Sequence, residues 1–105
     1  MLNKPSKEML NLLPPLYATE NVPAAEKLIY LHFYFGDCHW LTCEFDGGDL
    51  FFGYAVLHGD MQNAEWGYFS LSELTEFSII GLEVCCDRYW EPIPAGEMEL
   101  LKGWI

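Results

Sequence analysis

Apolar residues near the start of the chain recur at the spacing of a helix. Within residues 6–13 they form two pairs, Met9–Leu10 and Leu12–Leu13, which lie about one helical turn apart. The Pro14–Pro15 pair follows directly, and proline has no backbone N–H group with which to continue a helix. The pattern therefore predicts one short amphipathic helix over residues 6–13.

After the first quarter of the chain the pattern changes to the alternation that is typical of strands. Leu31, Phe33 and Phe35 alternate with more polar positions, which gives a period of two. The sequence Asp-Gly-Gly-Asp at residues 46–49 separates two aromatic-rich segments and predicts a tight hairpin turn. We expect an antiparallel meander sheet of about four to five strands over residues 28–69.

The last third of the chain carries a helix start signal and a further apolar segment. Ser70 and Glu73 have the spacing of a capping box, which predicts a short helix over residues 70–77. The apolar segment 83–90 is expected to form a final strand. Together these elements predict a single α+β domain over residues 1–105, with the sheet packed against two or three short helices.

Composition separates a folded acidic protein from the alternatives. The 105 residues include 5 Lys+Arg and 16 Asp+Glu, so the formal net charge is −11, while 51% of residues are hydrophobic and 16% aromatic. This apolar content is too high for intrinsic disorder. A chain so poor in basic residues is not expected to bind nucleic acid directly, because phosphates are neutralised by Lys and Arg.

The apolar segments are too short to cross a membrane. The longest uncharged ones have about 10 residues, whereas a membrane-spanning helix needs about 20. The N-terminus lacks the apolar core and small-residue cleavage site of a signal peptide, and an anionic membrane surface would repel the chain. We therefore expect a cytoplasmic protein without a membrane partner.

Several segments of the chain resemble one bacterial family. The segments are Leu13–Tyr17, Glu44–Gly47, Asp49–Tyr54 and Gly67–Leu74. They resemble, in the same order, the family catalogued as domain of unknown function 2958, and the segment from Gly81 to Pro92 is similar to its tail. Cys85 and Cys86 stand where that family tends to carry charged residues. The resemblance implies a phage, plasmid or conjugative-element setting, where antirestriction genes are frequent neighbours, and it implies no catalytic residues.

The acidic residues are the first candidates for a binding surface. Glu44 and Asp46 are two positions apart on a predicted strand, so their carboxylates are expected on one face, roughly 6.6 Å apart. Carboxylates at such spacing can imitate the phosphates of a nucleic-acid strand and attract a basic groove. The alternative is a solvated surface that only keeps a hydrophobic protein in solution. The candidate partner-binding carboxylates are Glu44, Asp46, Asp49, Asp60, Glu65, Glu73 and Glu76.

Aromatic residues exceed what a core of this size needs, although most of them are expected to be buried. Trp40, Trp66 and Trp90 are candidates for an exposed apolar patch that contacts a protein partner, and Trp66 is the one assigned to the partner-binding residues. Stacking on nucleic-acid bases is not expected, since stacking proteins also carry a basic track for the backbone.

Metal binding and catalysis have weaker support. Four cysteines and a histidine could supply zinc ligands, namely Cys38, His39, Cys43, Cys85 and Cys86. Their spacing is unfavourable, because adjacent residues on a strand point to opposite faces and no Cys-x-x-Cys pair exists. A nucleophilic pair of Cys43 with His32 or His58 stays open. We expect no catalytic residue, no metal site and no cofactor.

These observations favour a non-enzymatic acidic protein of a mobile genetic element. It would bind the basic groove of a host nuclease complex, as an anti-CRISPR or antirestriction protein, and block nucleic-acid access. The alternatives are a small metalloprotein or enzyme acting on nucleic acid and an adaptor in plasmid maintenance. A homodimer formed through an open sheet edge is a further alternative.

Overall fold

Five antiparallel strands form the centre of the structure, which is a computed structural model describing residues 1–105. In chain order the elements are α1 (Lys7–Asn11), β1 (Leu28–Ile29), β2 (Leu31–Phe35), β3 (Cys38–Phe45), β4 (Leu50–Val56), β5 (Glu65–Ser70), α2 (Leu71–Glu76), β6 (Ser78–Ile79), β7 (Leu82–Glu83), β8 (Cys85–Cys86) and β9 (Ile93–Pro94). The sheet order is β5-β4-β3-β2-β8, while β1 pairs with β9 and β6 with β7. The predicted α+β class with an antiparallel sheet is confirmed.

Both helices begin at a serine whose hydroxyl oxygen accepts a backbone hydrogen bond. Ser6 Oγ accepts from the N–H of Met9 at 3.1 Å, and Ser70 Oγ accepts from the N–H of Glu73 at 3.1 Å. Helix α2 has the predicted bounds, with Ser70 and Phe77 as its caps. Helix α1 is shorter than the predicted 6–13, since Leu12 already lies in its C-cap position. Neither helix has the length and apolar content that a membrane crossing requires.

The predicted final strand over residues 83–90 is wrong in extent. Only Cys85 and Cys86 pair with β2, and Glu83 belongs to the short β6–β7 hairpin. The strand stops because Asp87 begins a local turn, in which its Oδ1 accepts from the N–H of Tyr89 at 3.0 Å. Strand β1 also departs from expectation, since it pairs with β9 and lies outside the five-stranded sheet.

Apolar side chains are buried on both faces of the sheet. One face packs against the two helices around Phe33, Phe51 and Leu74. The other face packs against the C-terminal segment around Leu41, Val56 and Leu101. Cover by short helices was expected from the sequence, and near the C-terminus this cover consists of the 3-10 turns Ala95–Glu97 and Glu99–Leu101.

A β-bulge in β3 reverses the alternation of its side chains. The pairing with β4 shifts between Thr42 and Glu44. Trp40 and Phe45 therefore lie in the same apolar cluster although they are five positions apart, which a regular strand would not allow. The bulge turns Glu44 towards the opposite face, where it pairs across the sheet with Phe52.

Candidate functional site

Aromatic side chains cover one face of β4 and β5 near the edge of the sheet. Phe52 and Trp66 stack with ring centroids 5.9 Å apart and an interplanar angle of 12°. Tyr68 meets the edge of Phe52 at 5.2 Å, and Tyr54 meets Trp66 at 5.0 Å. Since Phe52 pairs with Tyr68 and Tyr54 with Trp66 across the strands, the pleat places all four rings on one face.

Phe52, Trp66 and Tyr68 form one wall of an open cavity of about 490 Å³. Tyr17, from the connection between α1 and β1, closes it from the other side; the remaining lining residues are Glu20, Ala24, Lys27 and Glu44. Tyr17 and Tyr68 are 64% and 53% exposed, so their rings are accessible to a partner. The pKa of Tyr68 is raised, first by desolvation and then by the neighbouring Tyr17 side chain. We refer to Tyr17, Phe52, Trp66 and Tyr68 as the aromatic pocket.

The carboxylate of Glu44 forms the floor of the pocket. Its Oε1 accepts from the N–H of Tyr17 at 2.8 Å, and its Oε2 accepts from the N–H of Thr19 at 3.0 Å and from the Thr19 hydroxyl. Lys27 Nζ donates to the carbonyl and hydroxyl oxygens of Thr19. Glu44 is only 2% exposed. The expectation that Glu44 is an accessible surface carboxylate is therefore wrong, because its hydrogen bonds to Tyr17 and Thr19 hold it inside.

Three other predicted carboxylates are engaged in local structure but remain accessible. Asp46 Oδ1 accepts three backbone N–H groups of the hairpin turn, at 2.8–3.0 Å, and these bonds lower its pKa. Asp49 accepts from the N–H and hydroxyl groups of Ser72 at 2.8 and 2.6 Å, at the start of α2. Asp60 accepts from the side chain of Asn63 at 2.7 Å, which lowers the Asp60 pKa. Asp46 and Asp60 are exposed and Asp49 is half-buried.

Glu65, Glu73 and Glu76 are the predicted carboxylates that are exposed and have no hydrogen bond or ion pair through their side chains. Glu65 begins the edge strand β5, and Glu73 and Glu76 lie on α2, which follows β5 directly. Trp66 is half-buried in the aromatic pocket. The structure thus groups most of the predicted partner-binding residues along β5 and its two ends.

The pair of Cys43 with His32 or His58, which the sequence left open, does not form. Cys43 is buried, and this burial raises its pKa to about 12. His32 Nε2 instead lies 2.8 Å from Nδ1 of His39. Cys38 is the cysteine that meets a histidine, with its Sγ 3.9 Å from Nδ1 of His58.

Asp37, Cys38 and His58 form the group of potential metal ligands that the sequence reasoning missed. Their ligand atoms all lie within 4.8 Å of one another. The predicted meander could have indicated this group. In a meander, the turn between β2 and β3 and the end of β4 lie at the same end of the sheet. For Tyr17, Thr19 and Lys27 no such signal existed, since they approach the sheet from an irregular connection.

Comparison with known proteins gives one result. A family model with the description "Protein of unknown function (DUF2958)" matches residues 16–95. No curated protein matches the chain. No solved structure matches it either.

Proposed function

The chain belongs to the DUF2958 family, and we propose that this member is a non-enzymatic protein that binds a basic nucleic-acid-binding groove. The proposed partner is a host defence nuclease complex, of the CRISPR or restriction class. Binding would exclude DNA or RNA from that groove. The observation that carries the proposal is the unpaired negative charge at the two ends of the edge strand β5, on Glu65 at its start and on Glu73 and Glu76 of the helix that follows it.

The charge of the sixteen acidic residues is mostly unneutralised. Glu44 is buried, Asp49 and Asp87 are half-buried, and the other thirteen are exposed. Two carboxylates form ion pairs, Glu83 with the N-terminal amine and Glu99 with Lys102. The remaining exposed carboxylates are therefore available to a cationic partner, which they would attract over long range at low salt.

The carboxylates near β5 are spread over a distance that suits a nucleic-acid groove. Asp60 and Glu65 lie at the start of this strand, and Asp49 and Glu73 lie near its end, where Asp49 binds the first turn of α2. A strand of six residues spans about 20 Å. A basic groove could therefore contact carboxylates at both ends of β5, as it contacts successive phosphates.

The aromatic pocket lies on the opposite face of β5 from Glu65 and α2, since Trp66 and Tyr68 alternate with Glu65, and it adds a second kind of contact at the same edge of the sheet. Lys27 and Glu44 offset each other's charge below it, while Glu20 at its rim is exposed. Aromatic faces next to a carboxylate favour a guanidinium or ammonium group through cation–π contact. We expect an Arg or Lys side chain of the partner to insert here. Salt should weaken this contact less than it weakens the attraction between exposed surface charges.

The mobile-element setting supports the class of target. The family resemblance implies phages, plasmids and conjugative elements, which gain from a protein that blocks host nucleases. Such a target acts in the cytoplasm, so we propose the cytoplasm as the site of action.

Capture of the host's own effector complexes tests the proposal. The immobilised chain is mixed with lysate of a host whose restriction and CRISPR effectors are tagged, and bound complexes are eluted by salt or by duplex DNA. We expect an effector complex to elute at moderate salt and to be displaced by the DNA. Retention of no effector complex contradicts the proposal, and retention of a protein of the same mobile element instead would favour the adaptor alternative.

Two charge-matched variants locate the binding surface. Glu65, Glu73 and Glu76 are replaced by Lys in one variant, and Glu91, Glu97 and Glu99 in the other. Each Glu→Lys change adds two charges, so both variants move from −11 to −5. We expect only the first variant to lose the effector complex. Equal loss in both would show that net charge alone, and no defined surface, is responsible.

The metalloprotein alternative has one specific observation in its favour, the grouping of Asp37, Cys38 and His58.

A further inference from the structure

We propose that Asp37, Cys38 and His58 form a zinc-binding site at one end of strands β3 and β4. The hairpin turn of Asp46 joins the opposite ends of these two strands. This site is separate from the aromatic pocket and does not depend on the proposed function. Its three ligand atoms are one carboxylate oxygen, the Cys38 Sγ and the His58 Nδ1, and all lie within 4.8 Å of one another.

The fold holds these residues together by backbone contacts. Asp37 lies in the turn between β2 and β3, Cys38 is the first residue of β3, and His58 follows the end of β4. The N–H of Gly59 donates to the carbonyl oxygen of Asp37 at 2.9 Å, and the N–H of His58 donates to Cys38 Sγ at 3.4 Å. The pairing of β3 with β4 and these two hydrogen bonds therefore bring the three side chains together.

The distances match a tetrahedral zinc ion after a small adjustment. With Zn–S near 2.3 Å and Zn–N near 2.0 Å, sulfur and nitrogen ligands lie about 3.6 Å apart. Cys38 Sγ and His58 Nδ1 are 3.9 Å apart. Rotation of the exposed His58 and Asp37 side chains can close the difference, since only Cys38 of the three is buried.

The ligand set selects the metal. A thiolate with an imidazole and a carboxylate suits zinc, whereas magnesium and calcium require oxygen ligands. The other buried cysteines are poorer ligands, because burial raises the pKa of Cys43 and Cys86 to about 12 and disfavours their thiolates. Three protein ligands leave a fourth position for water or for a partner's side chain.

His58 lies in the left-handed backbone region, with φ at 55°. Among residues other than glycine, Asn, Asp and His are enriched in this region. In this conformation Nδ1 of His58 lies 3.9 Å from Cys38 Sγ.

Zinc titration of the untagged, chelator-treated chain tests the site. The probes are Zn²⁺, titrated in competition with a chromophoric chelator, and Co²⁺, followed by its sulfur-to-metal charge-transfer absorption. We expect one ion per chain with cobalt–thiolate absorption. His58→Asn and Cys38→Ser are expected to weaken zinc binding by at least about tenfold. Asn tolerates the left-handed conformation, so His58→Asn is expected to remain folded.

Matched controls separate this site from other thiols and imidazoles. Cys85→Ser removes a partly exposed cysteine elsewhere and His39→Gln removes a neighbouring histidine, and both should bind zinc as the native chain does. No zinc binding by the native chain overturns the inference, as does unchanged binding in folded His58→Asn. Effector capture repeated with and without Zn²⁺ is a separate readout, so failure of one proposal does not decide the other.

Discussion

Lys27 and Glu44 are the two charged residues that the fold buries, and the hydroxyl group of Thr19 lies between them. Thr19 donates to the carboxylate and accepts from the ammonium group, so both charges are partnered without direct contact. Glu44 also accepts the N–H groups of Tyr17 and Thr19, which fixes the connection that carries Tyr17 to the aromatic pocket. A carboxylate that sequence reasoning assigned to the surface is thus part of the support of the pocket.

Glu44→Gln should destabilise the protein by about 2–3 kcal/mol, because its amide nitrogen would face a backbone N–H donor in a buried site. Urea unfolding of the two proteins measures the difference in free energy. Glu20→Gln, at the exposed rim of the same pocket, is the control and should change stability by less than about 0.5 kcal/mol. Equal stability of native and Glu44→Gln proteins would contradict the role assigned to this carboxylate.

His32 makes stability depend on pH. Burial and the charge of His39 lower its pKa from 6.5 to about 4. The charge of Asp87 acts in the opposite direction and only partly offsets them. Between these values the unfolded chain binds a proton that the folded protein does not, so the free energy of unfolding falls as the pH drops from 6.5 to 4. The loss from this group is at most about 3 kcal/mol.

Unfolding free energies measured from pH 4.5 to pH 7.5 test this dependence. The native protein should lose stability on acidification, and His32→Gln should show a smaller slope because the titrating group is absent. A slope that is the same in both proteins would show that other groups cause the dependence. The lowered pKa values of Asp46 and Asp60 make stability depend on pH only at lower pH, near and below the usual aspartate value of 3.8.

Among the elements, β3 and β4 determine the arrangement of the site through the bulge. At Gly53, opposite the bulge, an added Cβ would lie 1.9 Å from the carbonyl oxygen of Leu41. Its partner across the next strand pair, Gly67, has no atom within 4 Å of such a Cβ. Gly53 therefore has no room for a side chain unless β3 shifts, whereas Gly67, opposite it in the sheet, has room for one.

Gly53→Ala should destabilise the protein by about 2–3 kcal/mol through overpacking against β3. Gly67→Ala is the matched control and should be neutral or slightly stabilising, since alanine restricts the unfolded chain. Thermal and urea unfolding measure both. A neutral Gly53→Ala variant would mean that β3 and β4 approach less closely than described.

Elements with local signals could be predicted from the sequence, and those set by distant contacts could not. The hairpin at Asp46 and the cap at Ser70 depend on residues within four positions, and both occur as predicted. The burial of Glu44 depends on the connection that carries Tyr17 and Thr19 over it, so alternation along β3 could not predict it. The contact of Glu44 with Tyr17 joins residues 27 positions apart, which no local pattern records.

For the whole molecule, the candidate surface combines the charge of the chain with a fixed geometry. Composition established the net charge of −11, but only the fold brings Glu65, Glu73 and Glu76 to the edge strand and its following helix. The aromatic pocket, on the opposite face of β5, gives the same sheet edge a contact that is specific in shape. The central claim is that this surface protects nucleic acid from host nucleases.

Protection of invading DNA in living cells tests this claim most directly. Phage plaquing and transformation by unmodified plasmid are counted in isogenic hosts with and without restriction and CRISPR systems, each expressing the chain. We predict higher counts only where a defence system is present, with the gain lost for the Glu65, Glu73 and Glu76 triple Lys variant and kept for the Glu91, Glu97 and Glu99 variant. Counts that the chain does not raise in any defended host, or that both folded variants raise equally, would contradict the account.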